Sequence, residues 1–355
     1  MSDTHAQLNV STADKFSEII NNLMMFVTLW YKLHASMVGC ESSTMKVVMI
    51  NDCAFVGETL IKYLPSYIDV VHLKRSRRFF DKTFKIAWKI LRTKGDIYHV
   101  NYLLQDCYVA SKLGKRPIVG HAHGSDVRQS LNHFAWKRIV KHNLKKCDII
   151  LVSTPDILDI TKSYREETEY LPNPVDTNLF YPKPAQAHKE KLRVLIASDS
   201  NWDVKGTDIA IRALAKLKNE VEVFLIQKGK DFAKTVALAD SLDLHLKILP
   251  VTSHENVNNY FWNADVVMDR FKLGSLGMVS LEAVACGRPV LNFVSSAFPS
   301  YKDFPLKDVD SVEKLVVAIK DLSPKLWEAE YAYLRKNHDG RLIAKQIEEI
   351  YKHII

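Results

Sequence analysis

Glycine and proline are scarce in this 355-residue chain, 12 of each, which excludes a collagenous or low-complexity polymer. What remains is ordinary globular composition, 47% apolar and 25% charged. Cysteine is scarce too: Cys40, Cys53, Cys107, Cys147 and Cys286 are an odd number, without a CxxC or any metal-like spacing. They read as reduced thiols of an intracellular protein, so neither disulfides nor zinc is expected. Long apolar runs are lacking. Residues 19–33 come nearest, but Asn21, Asn22, Thr28 and Lys32 interrupt them, and they fall short of the roughly 20 residues that a spanning helix needs. The stretch also has no basic start and no small-residue cleavage site, so a secretory signal is not read there and a cytoplasmic location is expected.

The length suits two domains, each burying its own core. Charge divides unevenly between them. Residues 46–186 hold 23 Lys and Arg against 14 Asp and Glu, whereas residues 187–355 hold 24 against 23, so the excess behind the net +8 sits in the first half. A field of that sign attracts phosphates, nucleic acid or an anionic membrane.

Short runs rich in Val, Ile and Leu, each followed by a helical pattern, predict parallel sheets covered on both faces and hence an α/β chain. Strands are expected near 46–50, 69–73, 97–100, 117–121 and 149–153, then near 193–197, 221–226, 246–249, 266–268 and 289–293. Four prolines within 170–184 forbid a continuing helix or a central strand and mark an ordered linker. The expected division is therefore an extension over 1–44, a first domain over 45–184, a second over 185–330, and a helical end over 331–355 that could brace the first domain. For 1–44 two readings stay open: an interfacial helix, or an extension ahead of a natural start at Met45, which directly precedes the first strand.

Two local patterns carry chemistry. In Gly274-Ser-Leu-Gly277-Met278-Val279-Ser-Leu-Glu282 a glycine-bearing turn feeds a short helix, whose free N–H groups and dipole make an anion site fit for a diphosphate. Glu282 lies two turns on, within reach of the sugar hydroxyls of a nucleotide bound there. In Ser200-Asn201-Trp-Asp-Val-Lys205-Gly206 the loop after a strand opens a helix over 209–217, placing Lys205 at the carboxyl end of a parallel sheet, where α/β proteins bind ligands. A lone lysine in a loop is otherwise a solvated charge.

In this order and separation the two patterns resemble the C-terminal domain of the GT-B glycosyltransferases of group 1, also called glycosyltransferase family 4. Leu171-Pro-Asn-Pro-Val-Asp-Thr-Asn-Leu-Phe180 resembles that family's interdomain linker, and His123-Gly-Ser-Asp126-Val-Arg128 resembles its acceptor-side loop. The resemblance covers about residues 45–355. It implies two Rossmann-like domains facing across a cleft and retaining, metal-independent transfer of a hexose from a nucleotide-diphosphate sugar to a glycan or lipid-linked acceptor. It implies no cofactor and no metal. Carried over by position, it sets Lys205 against the donor diphosphate, Glu282 against the ribose, the backbone of Gly277, Met278 and Val279 near the phosphates, and His123 in the cleft near the transferred sugar. Ser200, Asn201, Gly206 and Gly274 complete the donor side, and Gly57, Asp126 and Arg128 stand on the acceptor side. Two positions depart from the family: Gly274 replaces a glutamate that contacts the donor sugar, and Ser200 replaces an arginine. Arg270 and Lys272 are candidates to supply the missing positive charge. A catalytically impaired nucleotide-sugar-binding protein, or an epimerase or phosphorylase of related architecture, is the alternative.

Residues 74–94 combine nine basic side chains with Phe80, Phe84, Trp88 and Leu91 at helical spacing. A core-facing stripe explains the aromatics but not the charge, for which peripheral contact with an anionic membrane is the expected use. Nucleic acid is not an expected partner, because the aromatics are not spaced to stack successive bases. Asn101, Gln105 and Asp106 could line the acceptor cleft or cap a turn, and His99 and His121 read equally as structural histidines.

Overall fold

The computed structural model describes residues 44–75, 85–184 and 190–355. Lys46–Ser66 together with Val70–Ile355 form one compact unit that holds both sheets save the first residue of β1 and the first two of β2.

The first half contains strands β1 (Met45–Ile50), β2 (Ile68–Leu73), β3 (Ile97–Asn101), β4 (Ile118–Ala122), β5 (Ile149–Val152) and β6 (Thr168–Tyr170). Its helices are α1 (Val56–Tyr63), α2 (Ile86–Arg92), α3 (Gln105–Lys112), α4 (Ser125–Arg128), α5 (Phe134–Lys146) and α6 (Leu158–Lys162). The strands lie in the order β2-β1-β3-β4-β5-β6. The β1–β3, β3–β4, β4–β5 and β5–β6 pairings are parallel. Helices on both faces explain why Val47, Val48, Met49 and Ile50 are all fully buried and why the strand reads as a continuous apolar run.

The second half contains β7 (Leu192–Ile196), β8 (Val221–Ile226), β9 (Leu246–Leu249), β10 (Val266–Met268) and β11 (Val290–Leu291) in the order β11-β10-β7-β8-β9. These pairings too are parallel. Its helices are α7 (Thr207–Ala215), α8 (Phe232–Ser241), α9 (Asn258–Trp262), α10 (Met278–Ala285), α11 (Val312–Lys320), α12 (Pro324–Asn337) and α13 (Gly340–Ile354). The two sheets give the α/β architecture expected from the strand and helix alternation.

Three differences from the sequence reading have physical causes. The edge strand β6 was not expected, because Thr168, Glu169 and Tyr170 offer no apolar run; pairing with β5, Val152 against Tyr170, creates it. Helix α7 starts and stops two residues before the expected 209–217, since left-handed Gly206 (φ 66°) opens it early. Its end tightens as Lys216 and Leu217 donate to the carbonyls of Ala213 and Leu214. The helical end expected over 331–355 is broken rather than continuous, the break falling between α12 and α13. Asp339 leaves the helix to bridge Val175 and caps α13 by accepting from the Arg341 N–H at 3.0 Å.

That break sends the chain between the two halves. Tyr333 and Leu334 of α12 join the core of the second sheet, together with linker residues Val175 and Phe180. Helix α13 packs on α1. There Gly340 is required by close approach, since a Cβ would lie 2.7 Å from the Tyr63 ring.

Candidate active site

A cavity of about 270 Å³ opens between the carboxyl ends of the two sheets. Its walls are residues just past strand ends: Cys53 after β1, His123 after β4, Ser153 and Thr154 after β5, Ala197 to Asp199 after β7, Lys228 after β8 and Arg270 after β10. Parallel sheets leave their ligand sites in this position.

On the second-half side, Asn201 builds the turn that presents Lys205. Its carbonyl accepts from Lys205 N at 2.8 Å and its side chain accepts from Val204 N at 3.2 Å. Lys205 Nζ then lies 3.4 Å from Asp269 Oδ1, and Arg270 Nε lies 3.4 Å from Asp269 Oδ2. Ser280 donates to the same Oδ2 at 2.8 Å and accepts from Asn292. Burial alone would raise the Asp269 carboxyl, yet the Lys205 ammonium, the Arg270 guanidinium and the Ser280 hydroxyl hold it down at about 2. Lys205 itself is lowered, first by burial and then by Arg270. Two cations thus share one buried anion, and Lys228, which pairs with Asp199 at 2.8 Å, adds a third at the wall.

The turn before α10 completes this side. Helix α10 begins at Gly277 with no side-chain cap, and Gly277, Met278 and Val279 line the cavity. Gly277 is dictated by contact, because a Cβ there would fall 2.2 Å from Arg270 Nη2 and 2.4 Å from Asp269 Oδ2. The uncapped start of α10 and these three paired cations line one cavity, a combination suited to an oxyanion. The remaining donor-side candidates stand behind the wall. Ser200 is buried, and its hydroxyl has no partner among the described residues. Gly206 caps α7, and Gly274 sits in the left-handed region (φ 63°) with the Phe293 ring 3.1 Å from where a Cβ would be. A glutamate at 274 would therefore clash before it could reach the cavity. Glu282 is buried outside the cavity lining and hydrogen-bonds His254 Nε2 at 2.8 Å. The His254 ring in turn stacks on Phe55 at 3.7 Å and 2°.

On the first-half side, His123 Nε2 meets Asn101 Oδ1 at 3.1 Å, and Nδ1 lies 3.5 Å from Ser153 Oγ. Burial pushes its imidazole down to about 3, so it is neutral. Asp126 does not reach the cavity. It is buried and accepts from the N–H groups of His123 at 3.0 Å and Leu103 at 2.8 Å, holding the loop that carries His123. Burial raises its carboxyl to about 6, against those bonds. Arg128 pairs with Asp156, and Gly57 donates to Asp52 at 3.0 Å. Gln105 and Asp106 neither line the cavity nor cap a turn; both accept from Arg75, at 3.0 and 2.8 Å. Of the cations proposed to replace the missing arginine, Arg270 is at the wall and Lys272 is not, while Lys228 was missed. Lys228, Asp269, His254 and Phe55 escaped the sequence reading. Asp269 alone left a signal, an acid beside an arginine immediately after a buried strand.

The basic segment also needs correction. Phe80 and Phe84 lie outside the described residues. Trp88 (56% exposed) and Leu91 (49%) do not face the core; Ile86 and Ile90 take that face of α2. Arg92 lies over the Trp88 ring at 4.9 Å. Among the described residues no helix is long and apolar enough to cross a membrane, and no group of three His, Cys, Asp or Glu is placed to hold a metal ion.

Residues 182–303 match the family model for glycosyl transferases group 1, and residues 55–179 match that for glycosyltransferase family 4. The chain is 23% identical over 223 residues to N-acetyl-alpha-D-glucosaminyl L-malate synthase of Bacillus anthracis, 58% of each chain. It is 24% identical over 187 residues to the lipopolysaccharide glucosyltransferase WaaG of Escherichia coli, covering 48% of this chain and 50% of that one. The chain thus spans about half the length of these curated relatives. In fold it is similar to HepE of Anabaena, solved with UDP and glucose, at a TM-score of 0.66 and 17% identity, covering 87% of this chain and all of that one.

Proposed function

Because the chain belongs to the group 1 glycosyltransferases of GT-B fold, we propose that it moves a hexosyl unit, with retention, from a nucleotide-diphosphate sugar to a hydroxyl of a glycan or lipid-linked acceptor. The observation that carries this reading is the group of Lys205, Arg270 and Lys228 around the uncapped start of α10, with neutral His123 on the facing wall. As the bond from the sugar's anomeric carbon to the diphosphate breaks, negative charge grows on the leaving oxygen and positive charge on the sugar ring. Fixed cations and N–H donors stabilise the first without reorganising. A neutral imidazole adds no positive charge beside the second. The acceptor hydroxyl oxygen then bonds to the face that the diphosphate has left, and its proton passes to the leaving diphosphate oxygen. Residues on this wall serve as electrostatic stabilisers in place of a metal. Glu282 is set to meet the ribose through its second carboxylate oxygen, since His254 Nε2 occupies Oε1.

Gly274 counts against the impaired-protein alternative, since it is the residue its backbone requires and not a site emptied of function. The test is to incubate the protein with UDP-, GDP- and ADP-hexoses, with and without glycan and lipid acceptors, and to read product by NMR. Acceptor-dependent product with the donor's anomeric configuration is expected. Donor turnover that ignores acceptor would favour the epimerase or phosphorylase reading.

For the acceptor, the exposed pair Trp88 and Leu91 among Lys89, Arg92 and Lys94 supports docking on an anionic membrane. Each basic residue near such a surface contributes up to about 1 kcal/mol. Co-sedimentation with vesicles containing phosphatidylserine, lost in Trp88→Glu and absent with neutral vesicles, is the expected result. Equal recovery with both kinds of vesicle would remove this reading.

A further inference from the structure

Four aromatic side chains with polar ring or hydroxyl atoms run from the C-terminal helix to the cavity through the interior. His99 on β3, and His121 and His123 on and after β4, share one face of the first sheet, because alternate residues along a strand point the same way and Asn101 pairs with His121 in register. Helix α13, packed on α1, brings the fully buried Tyr351 against His99 on that face. The Tyr351 hydroxyl lies 2.6 Å from His99 Nδ1. His99 Nε2 lies 3.2 Å from His121 Nδ1. The His121 ring packs against the His123 ring with centroids 4.4 Å apart and 31° between planes.

The direction of this row follows from counting protons. A neutral imidazole has one donor and one acceptor nitrogen. If Tyr351 donates to His99 Nδ1, then His99 Nε2–H donates to His121 Nδ1, and a single group, His121 Nε2–H, has no partner among the described residues. Run the other way, with His121 donating, the Tyr351 proton and the His121 Nε2 lone pair are both stranded. Stranding a buried polar group is costly, so the direction that strands fewer groups is the stable one. At the far end Asn101 Oδ1 can only accept, because its amide nitrogen donates to Met49 Sδ and Asn51 O. His123 therefore carries its proton on Nε2 and keeps Nδ1 as an acceptor.

We propose that Tyr351 is a positioning residue for His123, fixing its ring from the C-terminal helix through a directed row, Tyr351 to His99 to His121, whose last ring supports the His123 ring. The inference rests on the glycosyltransferase reading only for what His123 then does; the row itself is a property of the folded chain. Through it the end of the chain, which crosses from the second half, reports on the geometry of the first.

Nitrogen NMR of protein labelled with ¹⁵N-histidine tests this without substrate. In the wild type, His99, His121 and His123 should all be the Nε2–H tautomer, and an Nδ1–H signal at His99 would overturn the proposal. In Tyr351→Phe, the ring signals of His99, His121 and His123 should all move. With an active donor and acceptor, kcat should fall about tenfold while donor KM is unchanged, as expected for misplacement of a group beside the reacting atoms. A Tyr351→Phe protein in which His99 shifts but His123 does not would refute the coupling. If neither protein turns over any donor, the functional reading fails and the imidazole signals still decide the row. If Tyr351→Phe does not fold, the wild-type tautomers decide it.

Discussion

The two walls of the cavity solve opposite electrostatic problems. At and behind the first-half wall, burial keeps the imidazoles neutral and weakens an acid: His99 and His123 are pushed down to about 3, His121 lies well below its ordinary value, and Asp126, behind the wall, is pushed up to about 6. On the second-half wall, pairing preserves charge: Asp269 is buried as deeply but is held at about 2 between Lys205 and Arg270. Two sheets of the same parallel kind thus place a neutral surface opposite a charged one. The difference shows that the fold supplies position only, while the residues just past the strand ends decide which charges exist there.

The largest expected effect separates the walls by pH. A histidine held at about 3 takes no proton in the folded chain near pH 5, whereas the unfolded chain, with a value near 6.5, does. Stability from His99, His121 and His123 is therefore full above about pH 6.5 and is lost as pH falls below it, by roughly 2 kcal/mol for each of His99 and His123 by pH 5. Asp126 works in the opposite sense: its raised carboxyl favours the folded state below 3.8 and loses that contribution as pH rises through about 6. Asp269 contributes above 3.8 and is lost only as pH falls towards about 2. Denaturant melts at pH 7.5, 5 and 3.5 should show loss first from the neutral wall. A profile flat from 7.5 to 5 would erase the contrast.

Next in size, Asp269→Asn leaves Lys205 and Arg270 buried without their anion and should cost about 3–5 kcal/mol. Asp126→Asn keeps an acceptor for a backbone N–H and should cost about 1–2 kcal/mol by the same urea denaturation. Gly274→Glu, which restores the family's residue, should destabilise by about 1–3 kcal/mol through its left-handed backbone and the Phe293 contact, without improving donor turnover. Least of all, Ser200→Ala removes a buried hydroxyl with no partner among the described residues and should change stability by no more than about 1 kcal/mol, in the stabilising direction.

The chemistry of each wall was unequally legible in the sequence. Strands β8, β9 and β10 coincide with their apolar runs, because a strand buried on both faces has no other way to read. His123 and Arg270 stand just past such runs, whereas Lys205 and Gly277 lie well beyond theirs, and the place of all four at the site was legible through the resemblance to the family. That of Lys228 was not, since nothing in Gln227-Lys228-Gly229 distinguishes a wall residue from a solvated turn until β8 is set beside β7. Neither was the pairing of Glu282 with His254, nor the row from Tyr351 to His123, whose ends lie 28 and more than 200 positions apart in the chain. The face of α2 was misread for a different reason: Ile86 and Ile90 compete with Trp88 and Leu91 for the core, and the smaller side chains fit it.

The most direct test of the charged-wall account is the thermal shift produced by UDP, GDP and ADP sugars on the wild type, Lys205→Met and His123→Ala. The account predicts that one nucleotide sugar raises the melting temperature of the wild type by mass action, that Lys205→Met loses the response, and that His123→Ala keeps it. A response that survives Lys205→Met, or one that vanishes in His123→Ala alone, would contradict it.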